Sequence, residues 1–170
     1  LTMLREDVAR RLIAAGLPDG PLRGVPFLLK DLGAEAVDFP ANNGSRLLAG
    51  TQYSRDSAIY ERIRDAGVVT FGRTTAPEGG IGPATEATVY GGPTRNPWNF
   101  GRTSGGSSGG SGAAVAAGIV PAAHGSDGGR LPDHHPRRHG RGDRLRRLPR
   151  AALYGLHAAP QADRGFGLRA

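Results

Sequence analysis

The sequence predicts an α/β protein, on three observations. Helical stretches alternate with short apolar runs of strand length. Those runs are bounded by glycine, proline or charge. The alternation persists to residue 129 and is lost beyond it. Helix followed by an apolar strand, repeated, is the pattern of a sheet with helices packed on it.

The elements follow in order. Residues 2–16 carry Leu4, Val8, Leu12 and Ile13 at helical spacing, with Gly16 as a stop. A turn rich in Pro, Asp and Gly spans 17–22. Val25 to Asp31 is an apolar run ending in Lys30 and Asp31, which suits a buried strand with Lys30 at or just past its end. Asp56 to Ala66 reads as a helix with Ile59, Ile63 and Ala66 on one face, closed by Gly67. Val68 to Gly72 reads as a strand and Thr88 to Trp98 as a loop. Ser111 to Ile119 is small and helical, and Ile119 to Ala123 reads as another buried strand.

Composition divides the chain at the same place. Residues 1–129 hold 12 Lys+Arg and 12 Asp+Glu, whereas residues 130–170 hold 10 Arg, no Lys and 3 acids. The net charge of +7 therefore comes from the last 41 residues. Ten arginines in one segment fit phosphate contact by a nucleic-acid arm. The tail has only two aromatics, Tyr154 and Phe166, and prolines 132, 136, 149 and 160 break it up, so it is expected to be irregular. Cysteine is absent, which excludes a disulfide framework and thiol chemistry and makes a cytoplasmic setting the default. No apolar run approaches the ~20 residues of a membrane span, and Leu1 to Leu4, followed at once by Arg5, Glu6 and Asp7, is not expected to be a signal peptide. No metal or cofactor is expected from the residues present.

Three segments can carry chemistry. A lysine at the end of an apolar strand is ordinarily a solvated end charge; held among apolar groups it can instead lose its proton and serve as a base. The run Gly105 to Gly112 reads as a flexible linker, a phosphate cradle or a tight turn exposing serine hydroxyls. Pro97-Trp98-Asn99 before it and an Ala/Val helix after it argue against a linker, and no Lys-Ser/Thr pair of a P-loop is present. Gly125-Ser126-Asp127-Gly128-Gly129 reads as a plain turn or as a loop whose N–H groups converge on an oxyanion.

Together these segments resemble the amidase signature family of serine hydrolases. The resemblance rests on Gly24-Val25-Pro26-Phe27-Leu28-Leu29-Lys30-Asp31, Gly44-Ser45-Arg46, Asn96-Pro97-Trp98-Asn99 and Gly105 to Gly112, and it covers roughly residues 5–129. It implies a mixed sheet flanked by helices, incomplete here because the family domain is much longer. It implies a Ser–cis-Ser–Lys triad with Lys30 as general base and Ser107 as bridging serine, preceded by a cis peptide bond. Gly128 and Gly129 would supply the oxyanion loop, with Gly105, Gly106, Ser108 and Asp127 supporting the site. The reaction implied is hydrolysis of a small-molecule amide through an acyl-enzyme, without cofactor. Family members act on fatty amides, small aliphatic and aryl amides, and glutaminyl-tRNA precursors.

At the nucleophile position the chain departs from the family. Position 131 is Leu131, and the glycine expected before it is Arg130. One synonymous codon choice for Arg130 to Pro136, read one base later, encodes Gly-Ser-Arg-Ile-Thr-Ile-Pro, which restores the family text and puts serine at 131. The expectation is thus a partial amidase-signature domain over 1–129, an out-of-frame tail over 130–170, and an inactive chain. The alternatives are a catalytically silent binding module that keeps the cleft, and a basic tail that binds nucleic acid.

Overall fold

A computed structural model describes residues 1–126 and the backbone of 151–154. A five-stranded sheet runs in the order β1 (Met3–Leu4), β3 (Val69–Thr74), β2 (Pro26–Lys30), β6 (Ala122–Ser126), β7 (Ala151–Tyr154). The three inner strands are parallel and the two outer ones antiparallel to their neighbours. A separate hairpin pairs β4 (Arg95–Asn96) with β5 (Asn99–Thr103). This is the mixed α/β sheet the sequence predicts.

Among the described residues three α-helices cover the sheet: α1 (Glu6–Ala15), α2 (Ala58–Asp65) and α3 (Gly109–Ala116). One crossover runs β2–α2–β3, and a second runs from β3 through α3 to β6 on the far side of β2. The central strand β2 is therefore buried on both faces, which is why its sequence is continuously apolar rather than alternating. Phe27 and Leu29 pack with Val8, Phe39, Tyr60 and Val68 on one face; Leu28 packs with Ala114, Val120 and Ala123 on the other. Open α/β sheets take their ligands outside the carboxyl ends of the parallel strands. Here those ends are Lys30, Thr74 and Ser126.

The helix expected over 2–16 begins at Glu6, because Met3 and Leu4 pair with Arg73 and Gly72 as an edge strand. Gly16 ends it at φ +89°, a value glycine adopts without strain. α2 starts later than Asp56 as well. Ser57 is its N-cap and accepts from the Tyr60 amide at 3.3 Å, while Asp56 instead pairs with Arg64 at 2.8 Å. Its buried face is consequently set by Tyr60, 3% exposed and edge-on to Phe39, with Ile63 partly buried against the same core; Ile59 is 46% exposed. The expected loop 88–98 contains a short 3₁₀ turn at Thr88–Tyr90 and the strand β4. The last parallel strand lies a few residues beyond the apolar run 119–123.

Within the stretch expected to be irregular, Ala151–Tyr154 pairs with β6, Ala123 to Ser126 lying opposite. The domain boundary expected at 129/130 lies outside the described residues. No helix among the described residues is long and apolar enough to cross a membrane.

Candidate active site

Lys30 ends β2 and is fully buried. Its side chain leaves the sheet on the α3 side and donates from Nζ to Ser107 Oγ at 2.7 Å, to Ser126 Oγ at 3.1 Å and to the Ser126 carbonyl at 3.2 Å. A lysine and a hydroxyl far apart in sequence thus meet at hydrogen-bond distance, a geometry that permits proton transfer.

The turn that presents Ser107 is held from both sides. Thr85 Oγ1 donates to the Gly105 carbonyl at 2.8 Å, Gly105 has φ +80°, and the Gly106–Ser107 peptide is cis. Ser108, the N-cap of α3, donates from Oγ to the Ser126 carbonyl at 3.0 Å and accepts from the Ser126 amide at 3.1 Å. The glycines after it are there for room: a methyl group on Gly110 would meet the Thr75 backbone. This close approach seats α3 directly over the ends of β2 and β3. One turn further, Ser111 Oγ lies 2.8 Å from Thr74 Oγ1 and donates to the His124 carbonyl at 2.7 Å; Thr74 Oγ1 donates to the Leu29 carbonyl at 3.3 Å.

Of the residues expected at the site, Lys30 and Ser107 come into contact, Ser108 joins them through Ser126, and Gly105 and Gly106 form the turn. Asp127, Gly128, Gly129 and Leu131 lie outside the described residues. Ser126 stood in the expected oxyanion run with no role of its own, yet it supplies two of the oxygens around Lys30 Nζ. Arg73 was missed because it lies one residue past the strand expected to end at Gly72. Asp31, a strand-end charge in the segment that carries the resemblance but without an expected role, is buried, accepting from Tyr90 Oη at 2.5 Å and from the Asn42 amide at 3.1 Å. Burial pushes its carboxyl above the ordinary range, against the opposing effects of the Tyr90 hydrogen bond and the Arg73 charge.

His124, on β6, is 3% exposed, and its Nδ1 has no hydrogen-bond partner among the described residues. Burial, with the Arg73 and Lys30 charges adding to it, lowers its imidazole from 6.5 to about 4. The unfolded chain therefore binds the extra proton first as pH falls. Stability should rise between about pH 4 and 6.5, by about 3 kcal/mol from this group. Asp31, whose folded value is raised, acts in the opposite sense. Denaturant midpoints of wild type and His124→Asn, taken from pH 4 to 7, isolate the histidine: the difference between them should shrink on acidification. A constant difference would mean that His124 titrates normally.

Among the described residues no cluster of three or more His, Cys, Asp or Glu is placed to hold a metal ion. Open cavities of about 740 Å³ beside Tyr53 and Glu61 and about 570 Å³ beside Trp98 and Phe100 lie elsewhere, and neither is lined by Lys30 or Ser107.

A family model, Amidase, matches residues 5–132. A glutamyl-tRNA(Gln) amidotransferase subunit from Thermobifida fusca (strain YX) is 50% identical over 129 residues, covering 76% of this chain and 25% of that protein. Among solved structures, 6-aminohexanoate cyclic dimer hydrolase superposes with a TM-score of 0.65 at 43% identity, covering 72% of this chain and 25% of that one. A bacterial aryl acylamidase of the amidase signature family gives 0.61 at 40% identity, covering 72% and 26%. The chain spans about a quarter of the length of the curated relatives it matches.

Proposed function

The chain belongs to the Amidase family, and from that premise we propose that its site is built for hydrolysis of amide C–N bonds through a serine acyl-enzyme. The observation that carries this reading is the 2.7 Å contact between a wholly buried lysine and Ser107. Lys30 is the general base and Ser107 the bridge: on giving up one of its three Nζ protons, the amine can accept from Ser107 Oγ instead of donating to it. A nucleophilic serine passes its proton to Ser107 Oγ as Ser107 passes its own to Lys30 Nζ. The alkoxide adds to the amide carbonyl, the C–N bond breaks, and the amine leaves with the proton returned through the same relay. Water then hydrolyses the ester. The amides of Gly128 and Gly129 are the proposed oxyanion donors.

The substrate class proposed is a small amide, in keeping with the names of two neighbours, a 6-aminohexanoate cyclic dimer hydrolase and an aryl acylamidase. In this chain the nucleophile position is Leu131, whose hydrocarbon side chain cannot attack a carbonyl. We assign the departure to a one-base shift at or just before the Arg130 codon.

The purified chain is expected to leave an aryl amide such as a nitroacetanilide unhydrolysed. A chimera that joins residues 1–129 to the matching remainder of a relative is expected to turn it over. Turnover by the chain itself, lost in Lys30→Ala, would overturn the assignment of Leu131. A folded chimera inert toward aryl, aliphatic and cyclic amides alike would overturn the hydrolase reading.

A further inference from the structure

Arg73 is the largest fully buried side chain among the described residues, and no carboxylate lies within ion-pair distance of it there. It sits on β3 opposite Leu29, on the sheet face away from Ser107. Its guanidinium donates instead to backbone carbonyls. Nε reaches Phe39 O at 2.6 Å, Nη1 reaches Lys30 O at 2.5 Å and Gly33 O at 3.3 Å, and Nη2 reaches Ala34 O at 2.8 Å. Four of its five N–H donors are thereby spent on one stretch of chain, the end of β2 and the loop that leaves it. Burial lowers the guanidinium from its ordinary value, and the charge of Asp31 opposes this.

A buried cation without a bonded carboxylate is costly, and a strand needs none to form. The four carbonyls say what it is for. Past Lys30 the chain leaves the sheet. Gly33 and Ala34 adopt positive φ, at +66° and +49°, so their carbonyls point inward with no ladder to receive them. A rigid fork of donors satisfies them together with the Lys30 carbonyl, as the point charge of a lysine cannot.

We propose that Arg73 is a positioning residue for Lys30: by clamping the Lys30 carbonyl to those of Gly33, Ala34 and Phe39, it fixes the strand end from which Nζ reaches Ser107. The proposal rests on the hydrolase reading only for its catalytic consequence. A misplacement of about 1 Å would part Nζ from Ser107 Oγ, and errors of that size in a reacting group lower rates by about a hundredfold.

The chain offers a direct probe, since Lys30 is its single lysine. Isotope-labelled lysine gives one side-chain NMR signal, and amine acylation followed by peptide mapping separates Lys30 from the Leu1 α-amino group. The variants are Arg73→Met, which removes every donor, and Arg73→Gln, which keeps two. In both, the Lys30 signal should move and Lys30 should acylate at least about tenfold faster, as expected of local opening. Amide protection at Leu28 and Phe27 should stay as in wild type, which a loss of global stability would not allow. A folded variant with an unmoved signal and wild-type acylation would overturn the proposal.

If both variants fail to fold, the wild-type Arg73 Nε–H decides. Slow exchange supports the clamp and fast exchange overturns it. In the active chimera, Arg73→Gln should lower kcat with little change in KM. A chimera without activity whose Lys30 signal still depends on Arg73 would defeat the hydrolase reading and leave the clamp standing.

Discussion

Replacing Lys30 by arginine in the active chimera is expected to lower kcat about a thousandfold or more, as far as Lys30→Ala does. Arginine keeps the positive charge, but its guanidinium holds its proton at every pH the enzyme meets, so it cannot receive one from Ser107. Ser107→Ala should fall to a similar level, and the double variant should fall little further, because each group acts only as part of one relay. Steady-state kinetics on a chromogenic anilide measure all three. Near-full activity in Ser107→Ala would remove Ser107 from the relay. Activity in Lys30→Arg within tenfold of the parent would show that charge, rather than a transferable proton, is what the site needs. Of the 22 basic side chains in the chain, 21 are arginine. The one lysine stands at the position proposed for the general base.

Phe27→Ala should destabilise the chain by about 3–5 kcal/mol, against about 5–15 kcal/mol for a whole domain. Phe27 is fully buried on the central strand, between Thr70 of β3 and Ala122 of β6, and packs in the larger of the two cores. Truncating it opens a cavity that Val8, Phe39, Tyr60 and Val68, on separate segments, would have to collapse together to fill. Urea denaturation followed by far-UV circular dichroism reads the change. A cost below about 1 kcal/mol would mean that this face is less tightly packed than its burial indicates. Lys30 lies three residues along the same strand, so a substitution here should also lower activity in the chimera as the folded fraction falls.

Much of this was legible in the residues. The run from Val25 to Asp31 announced a strand with a lysine at its end, because an element buried on both faces must be apolar throughout. The contact with Ser107 was not legible from pattern. It joins groups far apart in sequence and came only from the resemblance to a known family. A composition signal lay unused beside it, the absence of any second lysine.

Other features escaped for physical reasons. Met3–Leu4 and Arg95–Asn96 are strands of two residues, too short to show a period. α2 starts after its Ser57 cap rather than at Asp56, and the residue that docks is an aromatic between the two isoleucines. One position on a helix is about 100° of rotation, enough to turn Ile59 to solvent and Tyr60 inward. Arg73 escaped because a cation after an apolar run reads as the end of a strand. Only the carbonyls it gathers, far away in sequence, show otherwise.

The hydroxyls of Thr74 and Ser111 have a consequence of their own. Three oxygen–oxygen contacts run from the Leu29 carbonyl through Thr74 and Ser111 to the His124 carbonyl. The two hydroxyls own only one hydrogen each. Two protons cannot fill three gaps, so one contact is always empty, and it can stand at either end or in the middle. When both protons point outward, β2 and β6 are each tied to a hydroxyl and the two oxygens face one another bare. When either proton turns inward, one strand is released from its tether. The seam under α3 is therefore a small proton-ordering problem with several solutions on one unchanged backbone.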